Sequence, residues 1–247
     1  MKRQFFIVSI LGAIIFINLA LMPGTGNALF EKKQKLSEYN FFIGRLADLA
    51  PAKGVIPYDI NMALFSNYAE KLRFIKLPDG RQANFTSEGV LDLPKGTVII
   101  KNFYYENDFR KPGTGRRILE TRLLVNEVDG WTAYPYIWND EQTESFYDVA
   151  GDIKKVSYTN NEGKSIAIDY IIPNKNQCKG CHIRDNKMLP IGPTAMQLNK
   201  DHAYNNGKQN QLVYWQQQGL LNKLPPLNTV EKFPAIDDRS QSIDSRA

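Results

Sequence analysis

Between residues 71 and 172 the chain is a succession of short apolar runs. They fall at 71–77, 82–86, 97–105, 117–127, 131–138, 154–159 and 165–172, and are rich in Val, Ile, Tyr, Phe and Thr. That length and composition predict strands. Pro78-Asp79-Gly80, Pro94-Lys95-Gly96, Asp129-Gly130 and Asn161-Glu162-Gly163 supply turns between several of them. The last run alternates most clearly. Ile166, Ile168, Tyr170 and Ile172 fall on one face, and Ala167, Asp169 and Ile171 on the other, the pattern of a strand with one face buried. In 131–138, Trp131 and Ala133 share a face with Pro135 and Ile137, while Tyr134, Tyr136 and Trp138 share the opposite one. Core packing is the default for at least one of these faces. Asp129-Gly130 predicts a hairpin between its flanking runs.

Outside this region the period changes. Residues 31–49 read as mainly helical, with Ser37 as an N-cap and Phe41, Phe42, Leu46 and Leu49 supplying apolar spacing; Pro51, Gly54 and Pro57 end the helix. After Pro173 the strand texture stops. Residues 177–221 read as helices and loops, with 210–218 a helix closed by Gly219. The fold class expected is α+β and β-rich: an antiparallel sheet or barrel-like meander with an N-terminal helix and a C-terminal helical and loop region.

The first 28 residues read as an address. Lys2 and Arg3 precede an uncharged, mostly apolar run from Phe5 to Met22, and Gly26 and Ala28 offer a small-x-small cleavage site. The segment is a signal peptide, or an uncleaved membrane anchor, since its apolar run sits at the lower limit for a bilayer span. Both versions place the folded part outside the cytoplasm, in the periplasm for a bacterial protein, and membrane contact follows only if the segment stays uncleaved. The expected organisation is 1–28 signal peptide, 29–173 helix plus β-rich domain, 174–230 attachment region and 231–247 flexible tail.

Composition narrows the function. At 247 residues, 43% hydrophobic and 23% charged, the chain has globular proportions. A net charge of +5 with no Lys/Arg block gives no case for nucleic acid. Only two Cys and two His occur, and three of the four lie within residues 178–182, Cys-Lys-Gly-Cys-His. C-x-x-C-H is the attachment signature of a c-type haem. Two thiols one helical turn apart meet the two porphyrin vinyl groups as thioethers, and the following histidine presents its imidazole to the iron. Attachment of this kind goes with export, which the leader supplies. A zinc site drawing on Cys178, Cys181, His182 and His202 lacks a second paired motif. A dithiol redox pair does not require the histidine. A small structural disulfide encloses too short a loop to stabilise much. One covalent haem c is therefore the cofactor expected, with Cys178 and Cys181 as attachment residues and His182 as proximal ligand.

The distal side is open in the sequence. Met196 follows Pro190-Ile191-Gly192-Pro193, and His202 is the other histidine; both are distal candidates. Met62 and Met188 read as packing residues. Arg116, Arg117 and Arg122 have the chemistry to pair with haem propionates, but solvated surface charge is the default explanation for them. Lys101 reads as an exposed strand residue.

The stretch 170–198, with Pro173-Asn174, Asn176-Gln177-Cys178, Cys181-His182 and Pro190-Ile191-Gly192-Pro193, resembles an uncharacterised family of exported bacterial proteins with a single C-x-x-C-H. The resemblance extends upstream through Gly54–Asp59, Pro94–Lys101, Arg116–Leu124, Gly130-Trp131 and Trp138-Asn139, and downstream to Asn210-Gln211-Leu212. It implies an exported haem-binding protein whose relatives are sometimes joined to cytochrome c or quinoprotein dehydrogenase modules, and it implies no particular reaction. The order of Gly96–Lys101, a Gly-Trp-bearing strand and a late C-x-x-C-H is also similar to that of the cytochrome P460 and β-type cytochrome c′ group, which sets a five-coordinate haem c against a β-sheet. The P460 type carries a lysine cross-linked to the porphyrin, and the sequence assigns that role to none of the lysines here. The expected function is electron transfer with a periplasmic dehydrogenase or cytochrome. The alternative is an open-site haem enzyme or gas-binding protein.

Overall fold

The computed structural model describes residues 30–184 and 186–234. The leader at 1–28 and residues 235–247 of the expected tail lie outside the described residues. Six strands form one open antiparallel sheet in chain order: β1 Val55–Tyr58, β2 Glu70–Lys76, β3 Val98–Glu106, β4 Arg116–Glu127, β5 Gly130–Trp138 and β6 Ser145–Tyr147. The sheet is a meander and does not close. A hairpin of β7 Asp152–Thr159 and β8 Ser165–Ile172 follows. Next come helix α1 Lys175–His182, helix α2 Ala195–Leu198, the hairpin β9 Asp201–Tyr204 with β10 Gly207–Asn210, and helix α3 Gln211–Gln217.

Register divides the sheet into two faces. On the front, Leu72 and Phe74, Val98 and Ile100, Leu123 and Val125, and Tyr134, Tyr136 and Trp138 fill a core under the N-terminal segment. On the back, Ile75, Ile99, Leu124 and Ala133 form one apolar row, covered by Leu198, Leu212 and Trp215 of the C-terminal segment. Farther along the back, Phe103 and Ile137 lie under Val156, Tyr170 and Ile172 of the β7–β8 hairpin. Burying three such clusters, on both faces of the sheet, is what holds a chain of this size together. The face assignments expected for 131–138 and 165–172 hold: Ala167, Asp169 and Ile171 are exposed, while Tyr170 and Ile172 are buried.

Several expectations are corrected. Residues 31–49 do not form a helix. They make two 3-10 turns, Leu36–Tyr39 and Leu46–Asp48, and a two-residue ladder of Phe42–Ile43 with Ala50–Pro51. Asn40 and Leu49, each with φ of 52°, end the two 3-10 turns after a single turn, and Gly44, with φ of 71°, bends the chain after Phe42–Ile43. The interruptions lay Tyr39, Phe41 and Phe42 flat on the front of the sheet. Val55–Tyr58, read as the end of a helix, is an edge strand, where Pro57 costs no central ladder bond. The β4–β5 hairpin forms, but its loop is Val128-Asp129, with Gly130 already paired to Glu127. Within 177–221 the β9–β10 hairpin departs from the helix-and-loop reading, although Asn205-Asn206-Gly207 is a turn signal.

Candidate haem attachment site

Helix α1 leaves the β7–β8 hairpin directly and packs against β5. Its start is fixed by a reciprocal cap. The Gln177 N–H donates to Asn174 Oδ1 at 2.9 Å, and the Asn174 N–H donates to Gln177 Oε1 at 2.8 Å. This is a capping box built from amides. The Lys175 N–H donates to the Val149 carbonyl at 3.1 Å. Gly151 makes that approach possible: its φ is +78°, and a Cβ there would lie 2.5 Å from the Ile172 carbonyl oxygen. Lys175 Nζ sits 5.2 Å from the centroid of the Tyr134 ring. These contacts hold the attachment motif beside β5. The cap has a sequence signal, N-x-x-Q just before Cys178, which apolar periodicity passes over.

Cys178 and Cys181 lie on α1 one turn apart; their side chains are outside the described residues. His182, the last residue of the helix, is clamped twice by Leu189. The Leu189 N–H donates to the His182 carbonyl at 2.7 Å, and His182 Nδ1 lies 2.9 Å from the Leu189 carbonyl oxygen. A carbonyl can only accept, so Nδ1 carries the proton and the lone pair of the neutral ring is on Nε2. Nε2 takes no hydrogen bond among the described residues. Burial lowers the His182 pKa from its ordinary 6.5, and the positive charges of Lys101 and Arg122 lower it further against the Leu189 bond. The ring is therefore neutral at pH 7, the state a metal ligand needs.

His182 lines a cleft of about 750 Å³, within the range of small-molecule and cofactor sites. Its walls are the loop 89–93, Asn126 and Trp131 from the β4–β5 hairpin end, and Ile183 with Leu189, Pro190 and Ile191. Asn126 is pinned by donating to the Leu93 carbonyl at 2.8 Å. The Leu91 N–H donates to the Pro193 carbonyl at 3.1 Å, which ties the Pro-Ile-Gly-Pro segment to the cleft wall. A ring nitrogen with a free lone pair, a carbonyl that orients the ring through its other nitrogen and an adjoining cleft suit a haem held from α1.

The other sequence candidates are placed elsewhere. Met196 is half-buried on α2, and its carbonyl accepts from Asn61 Nδ2 and the Phe233 N–H, both at 3.1 Å. Met62 is brought next to α2, its N–H donating to Gln197 Oε1 at 2.9 Å. His202 is on β9 with its ring edge-on to Tyr204, and its pKa is lowered by burial. Met188 packs against the core around Trp215. None of these four lines the His182 cleft. Among the described residues no three His, Cys, Asp or Glu side chains converge as metal ligands, and no helix is long and apolar enough to cross a membrane.

The arginines divide. Arg116 donates to the Ala47 and Asp48 carbonyls at 3.0 and 2.9 Å, and Arg117 pairs with Asp140 at 2.5 Å. Arg122 pairs with Glu120 on the back of the sheet, with Nε and Nη2 each 2.6 Å from a carboxylate oxygen. Lys101 is not an exposed strand residue. It is half-buried on the back of the sheet, directly between Arg73 and Arg122 in register. Sequence reading misses this row because the register of three strands has to be known first. Comparison of the chain with family models, with curated proteins and with solved structures finds no match in any of the three.

Proposed function

We propose that this chain is an exported c-type cytochrome that holds one haem through Cys178, Cys181 and His182 and passes electrons to or from a periplasmic dehydrogenase or cytochrome. The observation that carries the proposal is the His182 ring: protonated on Nδ1 toward Leu189, neutral, and unpartnered at Nε2 beside a cleft of cofactor size. When bound, the haem supplies a one-electron iron couple. Cys178 and Cys181 supply the covalent anchors, Leu189 fixes the ligand ring, and the leader at 1–28 takes the chain to the compartment where attachment occurs. Ile183, Leu189 and Ile191 around the cleft are 50%, 37% and 47% exposed. An exposed apolar rim of this kind suits a transient redox partner.

A second reading, an open-site haem enzyme or gas-binding protein, draws on one observation: none of Met62, Met188, Met196 and His202 lines the cleft. The optical spectrum of the reduced exported protein, with carbon monoxide added, separates the two. The carrier reading expects a six-coordinate low-spin spectrum and no rapid carbon monoxide binding. Rapid, tight binding by the wild type transfers the case to the open site. Binding that appears only in Met196→Ala or His202→Ala identifies the sixth ligand.

A further inference from the structure

The back of the sheet carries a row of three cations on adjacent strands. Arg73 of β2 is paired in register with Lys101 of β3, and Lys101 with Arg122 of β4; Pro135 of β5 continues the row. Like charges directly opposite on neighbouring strands repel, so three in succession need a reason. On one side lies the apolar row Ile75, Ile99, Leu124 and Ala133 under the C-terminal segment, and on the other the mixed row Lys71, Phe103, Glu120 and Ile137, whose Phe103 and Ile137 lie under the β7–β8 hairpin. The cations lie between these two covers. Arg73 is 6% exposed, whereas Lys101 and Arg122 are only half-buried and remain within reach of solvent.

Among the described residues, the two carboxylates that pair with the row each have other partners. Asp59 is shared between Arg73 at 3.1 Å and Lys200 at 2.8 Å. Glu120, fully buried, accepts from Arg122 through Nε and Nη2 at 2.6 Å each and from the Tyr170 hydroxyl at 2.8 Å. Lys101 makes no ion pair or hydrogen bond among the described residues; its Nζ lies 4.8 Å from the Phe103 ring centroid, a ring that Arg122 also covers at 4.3 Å. Its pKa is lowered from the ordinary 10.5 to about 7, first by burial and then by Arg73 and Arg122, with Lys71 adding and Glu120 opposing. Helix α1 packs against β5, whose Pro135 continues the row, so the row and the attachment helix belong to one neighbourhood.

We propose that Arg73, Lys101 and Arg122 form a recognition site for a small carboxylate or oxyanion beside the haem attachment helix. Lys101 is the residue that the anion completes. Arg73 and Arg122 are held in place by Asp59 and Glu120, and add positive potential on either side of it. The placement beside the haem rests on the cytochrome reading; the anion site does not. Two sources share the chemistry: a propionate of the haem itself, and a free anion delivered close to the iron.

The exported, haem-bearing full chain is titrated with sodium nitrite and with sodium acetate by calorimetry at pH 7 and fixed ionic strength. The exported Cys178→Ala/Cys181→Ala chain is titrated in parallel. Lys101→Met removes the charge and keeps the stem, and Lys101→Arg keeps the charge. If the occupant is a free anion, the haem-bearing wild type saturates, Lys101→Met weakens binding by about tenfold or more, and Lys101→Arg restores most of it. If the occupant is a propionate, only the haem-free chain binds, and Lys101→Met shifts the reduction potential of the haem-bearing chain while Lys101→Arg leaves it near wild type. The proposal is overturned if Lys101→Met binds either salt as tightly as the wild type. It is equally overturned if neither chain binds either salt and Lys101→Met leaves the potential unmoved. Wild type without covalent haem refutes the cytochrome reading alone, and the titration of that chain still decides the anion site.

Discussion

Lys101→Met is the substitution whose effect the fold dictates most sharply. Folding takes the amine from an ordinary pKa of 10.5 to about 7, chiefly by burying it and then by setting it between Arg73 and Arg122. Every tenfold loss of proton affinity corresponds to about 1.4 kcal/mol, so the charged amine is disfavoured in the fold by ~5 kcal/mol at the ceiling. Lys101 is partly exposed, and water relieves some of this, leaving roughly 2–4 kcal/mol. The sign follows from proton counting. Between about pH 7 and 10.5 the unfolded chain holds a proton on Lys101 that the folded chain does not, so stability rises with pH across that window. Below pH 7 the penalty is full, and above 10.5 it is gone. Methionine has no penalty at any pH and keeps the apolar stem. The cation–π contact with Phe103 that it gives up is worth about 0.5–1 kcal/mol and is lost along with the charge. In the haem-free Cys178→Ala/Cys181→Ala background, urea unfolding should therefore show Lys101→Met more stable than its parent by about 2–4 kcal/mol at pH 7. At pH 10 the gain should be under about 1 kcal/mol. An effect equal at both pH values, or a loss at pH 7 larger than at pH 10, refutes the electrostatic account of the row.

Three further outcomes test the frame around it. Glu120→Gln leaves Arg122 beside Lys101 without its carboxylate and should cost about 2–4 kcal/mol in chemical unfolding, whereas Tyr170→Phe, which removes one hydrogen bond to the same carboxylate, should cost about 1–2 kcal/mol. Trp215→Ala opens a cavity where the C-terminal segment covers the back of the sheet, and a loss of about 3–5 kcal/mol is expected; a loss under about 1 kcal/mol would mean that this cover is not packed on the sheet. Asn174→Ala removes the cap of α1 at a cost of about 1 kcal/mol, and Asn174→Ser should recover most of it in the same thermal unfolding assay.

The central sheet and the β7–β8 hairpin were legible because their strands are long and alternate. Ile166 to Ile172 and Tyr134 to Trp138 each expose their face in the pattern itself, and the structure buries the faces so read. The N-terminal segment misled because Phe41, Phe42, Leu46 and Leu49 satisfy a helical spacing while Asn40 turns the chain just before them and Gly44 turns it between them. Tertiary contact with Tyr134 and Tyr136 decides that segment, and local periodicity does not record it. The site divides in the same way. Cys178, Cys181 and His182 stand out because the proposed haem attachment needs a fixed local order. Leu189 as the clamp on His182, and Lys101 between two arginines, depend on which strands and turns meet, and no local pattern carries that. The arginine cluster read as one group is split because Arg116 belongs to the N-terminal cover, Arg117 to Asp140 and Arg122 to the back of the sheet.

Covalent haem is the claim on which the rest turns, and the exported full chain tests it directly. The protein is purified from the periplasm of a bacterium with a haem c attachment system, denatured, and examined by intact mass and by haem-dependent staining on a denaturing gel. Wild type should carry the mass of one haem on the polypeptide and should stain, and Cys178→Ala/Cys181→Ala should do neither. A wild-type chain with the bare polypeptide mass and no stain, expressed beside a control cytochrome that is loaded in the same cells, would contradict the account.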